Sequence, residues 1–154
     1  MGSIFTNEKN VLENFLQFNE LQDDDVVVTV GNTKIKSNNE NITFKDFTNQ
    51  QMMLQNCEYF VNHGGLNSVY ESIYYGIPQL CYPMQQEQKM YSKIVQKKKV
   101  GIYMKKFDNK YFKKIKNKNN VERLSEMKKI IRKYDGTEEA YKLVKSYFFD
   151  ENLK

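Results

Sequence analysis

Residues 60–83, FVNHGGLNSVYESIYYGIPQLCYP, decide how this chain is read. They hold its only histidine, His63, followed at once by Gly64 and Gly65 in a sequence with just seven glycines. The run that leads into them, YFVN, has the β-branched and aromatic character of a strand. After them Leu66, Val69, Ile73 and Tyr74 fall at i, i+3, i+7 and i+8, the spacing of one helical face. Gly76 and Pro78 supply the stop of that helix, and PQLCYP reads as another buried strand. The two glycines therefore stand where a strand ends and a helix begins.

Working outward, the same alternation continues in both directions. Upstream, Asn7–Leu21 carries Val11, Leu12, Phe15, Leu16 and Leu21 at helical intervals, and the acidic run at 23–25 ends it. VVVTVGN (26–32) is almost continuously apolar, which predicts a strand covered on both faces. ITFKDF (42–47) predicts a second extended segment, and Gln50–Leu54 a short helix. Downstream, QEQKMYSKIVQKKK predicts a helix, VGIYM a last strand, and 109–149 two or three helices broken at Asp135-Gly136. Strands alternating with helices imply an α/β domain built on a parallel sheet. Nothing in the chain suggests a repeat or a linker, so 1–154 reads as a single domain.

Composition sets the outer bounds. A chain of 154 residues can bury roughly 70% of the surface its unfolded form exposes. With 40% hydrophobic and 14% aromatic residues it is globular in type. No apolar run approaches the ~20 residues that span a bilayer, so the expectation is a cytoplasmic protein without a membrane span. MGSIFT fits the myristoylation pattern, a short motif that arises easily by chance. Cys57 and Cys81 stand far apart and outside any Cys/His cluster, which gives neither a zinc site nor a disulfide framework and predicts two buried free thiols. The net charge of +5 comes mainly from lysines in the second half. Because acidic residues interrupt them, they read as a solvated face, and no nucleic acid is expected as a partner.

The chemistry of the opening stretch follows from its place. Ligands of open parallel sheets bind at the carboxyl edge of the strands, and a helix N-terminus, with an effective charge of about +0.5, favours a phosphate. Glycines let a phosphate approach the backbone, and His63 can donate a hydrogen bond to it. Asn67 and Ser68 add polar groups in the first helical turn. Glu71, one turn beyond Ser68, is at the reach of the paired hydroxyls of a ribose. An alternative needs no ligand: Ser68-Val69-Tyr70-Glu71 is also a capping box.

HGGLNSVYE, then Gly76 and Pro78, then Pro83, then Glu87-Gln88, resembles the donor-binding signature of the UDP-glycosyltransferase family. That signature runs His-Gly-Gly-x-Asn-Ser-x-x-Glu, Gly-x-Pro, Pro and Asp-Gln. FTNQ (47–50) stands where the family carries Trp-x-Pro-Gln, and the likeness extends from Gly2 to the helix of YDGTEEAYKLVKSYF. The resemblance implies a Rossmann-like, doubly wound sheet, the C-terminal, nucleotide-sugar-binding half of a GT-B glycosyltransferase. It further implies that His63 and Ser68, with the Gly64 and Gly65 amides, hold a diphosphate. Glu71 would bind the ribose, Phe47 and Gln50 would frame the uracil, and Glu87 and Gln88 would touch the sugar hydroxyls. Gly2 and Ser3 resemble a Gly-Ser loop that also faces the phosphates. UDP-sugar is then the donor substrate and no metal is required. Phe47 in place of Trp keeps a stacking surface without an indole donor. Asn49 replaces Pro, and Glu87 is one methylene longer than Asp.

The family's acceptor domain, which carries the catalytic base, is not represented in these residues, and neither is the strand that precedes the Gly-Ser loop. In the doubly wound order that strand is central, so its two neighbours should be left unpaired in mid-sheet. The chain is therefore expected to be a fragment, a split-gene product or one subunit, with an N-terminal acceptor-binding half as partner. Three functions remain open: the donor half of an inverting hexosyltransferase, a non-catalytic subunit that binds UDP-sugar without transfer, and a basic nucleic-acid-binding module.

Overall fold

Asn62 closes one strand and Leu66 opens the next helix, so the glycines occupy the junction that the sequence predicts. The computed structural model describes residues 9–16, 25–115, 118–134 and 136–149. Their order is α1 (Lys9–Leu16), β1 (Val26–Thr29), β2 (Ile42–Lys45), α2 (Gln50–Leu54), β3 (Phe60–Asn62), α3 (Leu66–Tyr75), β4 (Gln79–Cys81), α4 (Gln86–Lys97), β5 (Gly101–Tyr103), α5 (Asn109–Ile115), α6 (Lys118–Lys133) and α7 (Gly136–Phe149). This is the βα alternation expected of the C-terminal half of a GT-B glycosyltransferase.

All strand pairs are parallel. β4 lies between β3 and β5, with Leu80 opposite both Val61 and Ile102. Successive strand residues point to opposite faces, and β4 is buried on both. Leu80 joins a core cluster that includes Leu12, Phe15, Met104, Phe112 and Ile115. Its neighbour Cys81 joins Val69, Ile73, Val95, Val100 and Leu124 on the other side. The sheet is thus covered by α1 and α5 on one face and by α3, α4 and α6 on the other, a doubly wound arrangement.

α3 is stopped as the sequence predicts. Gly76 takes φ +76°, and its N–H donates to the carbonyls of Ser72 and Ile73. Ser72 is fully buried and donates its hydroxyl to Ile77 O at 2.5 Å. α6 packs over this helix end. Lys128 Nζ donates to Tyr75 O at 2.7 Å and Arg132 Nε to Tyr74 O at 3.1 Å, placing two cations at the negative pole of α3.

The remaining strands form a separate pair. β1 and β2 run in parallel, with Val26 opposite Ile42 and Thr29 opposite Lys45. Among the described residues no ladder joins β1 to β3. Between them lies a cavity of about 620 Å³, walled by Val26–Thr29 on one side and Phe60–Asn62 on the other. The two strands expected to lack a partner in mid-sheet are the two that border this gap. One expectation for β1 is corrected. Its continuous apolar run predicts burial on both faces, yet Val27 is 40% exposed, because β1 ends its sheet at an open cavity.

Candidate functional site

Among the described residues, three segments that the sequence singles out follow the carboxyl end of a strand: 47–50 after β2, 63–68 after β3 and 87–88 after β4. The parallel sheet therefore brings them to one edge.

At the centre is the turn from β3 into α3. Gly64 takes φ +77°, a left-handed conformation that strains any residue with a side chain. A Cβ there would also collide with Ser92 Oγ and come within 3.0 Å of the Gln88 carbonyl oxygen. Gly65 is the N-cap of α3 and offers no side-chain cap. The first-turn N–H groups of a helix have no intrahelical partner, so they form the positive end of this site. The His63 ring lies over Gly65: a Cβ at Gly65 would stand 2.5 Å from His63 Nε2. Two glycines beside the one imidazole are thus explained separately, the first by backbone conformation and packing, the second by the ring above it.

His63 is half-buried with its Nδ1 edge inward. Burial lowers its pKa below the usual 6.5, so the ring is neutral at pH 7 and carries one N–H donor.

A buried polar relay fixes the turn from behind. Asn62 Oδ1 accepts from Gly64 N at 2.7 Å, while Asn62 Nδ2 donates to Gln79 Oε1 at 3.2 Å. Gln79, fully buried in β4, donates in turn to Val69 O at 3.5 Å. Neither Asn62 nor Gln79 is foreseen from the sequence. The signal was a glutamine inside an otherwise apolar strand, since a buried amide needs partners.

Ser68 is the third residue of α3 and is 7% exposed. The helix starts before it, which excludes the capping-box alternative for Ser68 and Glu71. Asn67 is exposed. Glu71 is half-buried and accepts from Gln50 Nε2 at 2.6 Å, so the residues expected at the uracil and at the ribose are hydrogen-bonded partners. Asn49, where the family pattern has Pro, caps α2 by accepting from Met52 N at 3.2 Å. Thr48 Oγ1 lies 2.7 Å from Thr29 Oγ1, tying this loop to the end of β1. Phe47 is 83% exposed and presents an open aromatic face.

In the first turn of α4, Glu87 is exposed and Gln88 buried. Gln88 Oε1 accepts from Met84 N at 2.9 Å and Gln85 N at 3.1 Å. Its carboxamide oxygen therefore caps α4, which leaves the amide NH2 as the part able to donate to a sugar. Gly2 and Ser3 lie outside the described residues, as do the side chains of Tyr147, Phe148 and Phe149. Among the described residues no group of three or more His, Cys, Asp or Glu could hold a metal ion, and no helix is long and apolar enough to cross a membrane.

Comparison with known proteins agrees with this fold. The family model described as erythromycin biosynthesis protein CIII-like, C-terminal domain, matches residues 13–129. The protein named uncharacterized UDP-glucosyltransferase YojK, from Bacillus subtilis (strain 168), is 30% identical over 110 residues, 69% of this chain and 27% of that protein. Among solved structures, the glycotransferase of kitacinnamycin superposes with a TM-score of 0.83 at 20% identity, over 94% of this chain and 41% of that one. The glycosyltransferase SnogD from Streptomyces nogalater gives 0.78 at 18% identity, over 93% and 41%. The chain spans about a quarter of that curated relative and two fifths of those structures. It belongs to the family of erythromycin biosynthesis protein CIII-like C-terminal domains, with the fold of the C-terminal half of a GT-B glycosyltransferase.

Proposed function

We propose that this chain is the donor-binding half of an inverting glycosyltransferase that passes a hexose from a UDP-sugar to a hydroxyl acceptor. The observation that carries the reading is the Gly64–Gly65 turn, where a positive φ, an uncapped helix N-terminus and a neutral imidazole meet at the carboxyl edge of a parallel sheet. The diphosphate sits on the first turn of α3, with the Gly64 and Gly65 amides, His63 and Ser68 around it. Glu71 takes the ribose hydroxyls, exchanging its bond from Gln50, which turns with Phe47 to the uracil. Asn67 adds a polar group at the mouth, and Glu87 with the Gln88 amide reaches the sugar. Gly2 and Ser3 complete the phosphate side.

As the acceptor oxygen attacks the anomeric carbon, the bond to the diphosphate breaks and negative charge grows on UDP. The helix terminus and His63 stabilise that charge, so no divalent metal is needed. The acceptor and the base that deprotonates it come from an N-terminal half, and the isolated chain transfers no sugar. The free thiols of Cys57 and Cys81 fit a reducing, cytoplasmic setting.

Isothermal titration tests the reading. UDP binds in the presence of chelator, and His63→Ala weakens it by about 1–3 kcal/mol, the loss of one hydrogen bond to a charged group. Equal affinity in wild type and His63→Ala removes His63 from the diphosphate. Binding abolished by chelator removes the metal-free mechanism.

A further inference from the structure

We infer that the outward face of α4 docks this domain on an anionic membrane surface, with Lys89, Lys93 and Lys97 among the lipid phosphates and Met90 and Ile94 pressed into the interface beside them. The face goes beyond the donor site and does not depend on it. α4 turns Gln88, Ser92 and Val95 inward, which leaves two neighbouring rows on the side away from the sheet. Lys89, Lys93 and Lys97, all exposed, recur every four residues, about one helical turn apart. Next to them Met90 and Ile94, 52% and 47% exposed, form an apolar row that ends at Lys98. The only carboxylate of the helix, Glu87, stands in its first turn, ahead of both rows.

These lysines differ from others in the chain by their lack of partners. Lys106 and Lys110 lie 3.8 Å and 3.1 Å from Asp108 Oδ2, Lys142 lies 3.6 Å from Glu138 Oε1, and Lys128 Nζ donates to Tyr75 O. Among the described residues, no carboxylate or carbonyl holds the ammonium groups of Lys89, Lys93, Lys97 or Lys98. Like charges four residues apart destabilise a helix, so the row is a local cost that an anionic surface would remove. The apolar row adds the second element of an interfacial helix, aliphatic side chains framed by cations. The exposed row on α3, Leu66, Tyr70 and Tyr74, lacks that frame: it carries no lysine, and Arg132 already stands 5.0 Å from the centre of the Tyr74 ring.

The chemistry of the face also chooses among anionic partners. Nucleic acid is held by aromatic and arginine planes that stack on bases, and the outward side of α4 offers neither. An acidic protein would present carboxylates at fixed points, whereas lysines on free, flexible stems suit headgroups that move in the plane of a bilayer. No helix among the described residues is long and apolar enough to cross a membrane, so the contact is peripheral. α4 runs from the end of β4 back to the start of β5. Most of the face therefore lies along the flank of the domain, away from the His63 turn.

Sedimentation of the 154-residue chain with vesicles of phosphatidylcholine and roughly one third phosphatidylserine tests the face. Binding should be at least about tenfold weaker with phosphatidylcholine alone. It should also fall as sodium chloride rises from about 0.1 M to about 1 M, which shortens the screening length from about 10 Å to about 3 Å. Combined Lys89→Gln, Lys93→Gln and Lys97→Gln should lower the affinity on the order of 100-fold, about fivefold for each lysine. Combined Lys106→Gln, Lys110→Gln and Lys142→Gln removes the same net charge elsewhere and should cost less than about fivefold. Met90→Ser with Ile94→Ser keeps the charge and should weaken binding about tenfold. Equal losses in the two lysine variants would reduce the effect to net charge and overturn the face, as would equal binding to both kinds of vesicle or binding to neither. Unchanged vesicle binding after Met90→Ser and Ile94→Ser overturns the docked arrangement of α4. Binding of poly-glutamate or of a single-stranded RNA in place of vesicles, lost in the Lys89, Lys93 and Lys97 variant, overturns the membrane in favour of an acidic protein or a nucleic acid.

Discussion

The two sheets of this domain are built from similar strands and meet opposite fates. In β3–β4–β5 the middle strand has a neighbour on each side and helices on both faces, so Gln79, Leu80 and Cys81 are all fully buried. β1, richer in valine than β4, has one neighbour and leaves Val27 40% exposed. The difference does not lie in hydrophobicity. β1 buries Val28 in the core but leaves Val27, on its other face, open beside the cavity.

The sharpest way to break this comparison is to truncate one side chain in each sheet. Leu80→Ala should cost about 2–5 kcal/mol, the transfer loss of a buried leucine plus the cavity left behind. Val27→Ala should cost about 0.5 kcal/mol, as for a position away from the packed interior. Urea denaturation measures both, and equal losses would show that the two sheets are equally well supported.

A smaller effect separates the glycines. Gly64→Ala should destabilise by about 1–3 kcal/mol through its left-handed φ alone, with the collision against Ser92 adding to that, and it should abolish UDP binding. Gly136 has no atom within 4 Å of a built Cβ, so Gly136→Ala should stay within about 1 kcal/mol of wild type. Thermal unfolding and nucleotide titration of the two variants decide this. A tolerant Gly64 would mean that the turn is not held by its surroundings.

The smallest effect is a pH dependence confined to the better-built sheet. Burial lowers the His63 pKa below 6.5, so the folded state takes up its proton at lower pH than the unfolded chain does. Between those two values the unfolded chain binds more protons, and stability there rises with pH. The contribution of His63 is whole above pH 6.5 and is lost as pH falls through 6.5 toward the folded value. Urea midpoints between pH 7.5 and 5.5 should fall with acidification in wild type and flatten in His63→Gln.

Much of this was legible in the sequence, for local reasons. The helix over Gln50–Leu54, the strand–glycine–helix junction and the stop at Gly76 are each set by residues within one or two turns. The division of the sheet was legible too, because doubly wound topology makes the strand ahead of the Gly-Ser loop central. What could not be read depends on residues distant in the chain. Asn62 finds Gln79 across a ladder, Gln50 finds Glu71 from another helix, and Gln88 spends its carbonyl on a cap although its position suggested a sugar contact. A polar residue in a motif announces its capacity to bond; the tertiary fold decides with what.

The two cysteines differ in a way that gives the molecule a built-in reporter. Burial pushes the Cys81 thiol up to about 12, which keeps thiolate chemistry away from it at any ordinary pH. Cys57 is only half-buried and lines the cavity between β1 and β3. Its pKa is also raised by burial, so labelling calls for mildly alkaline conditions and patience. A maleimide dye would then mark a single place in the native chain, at the wall of the gap, and its emission would register anything that fills the space beside it.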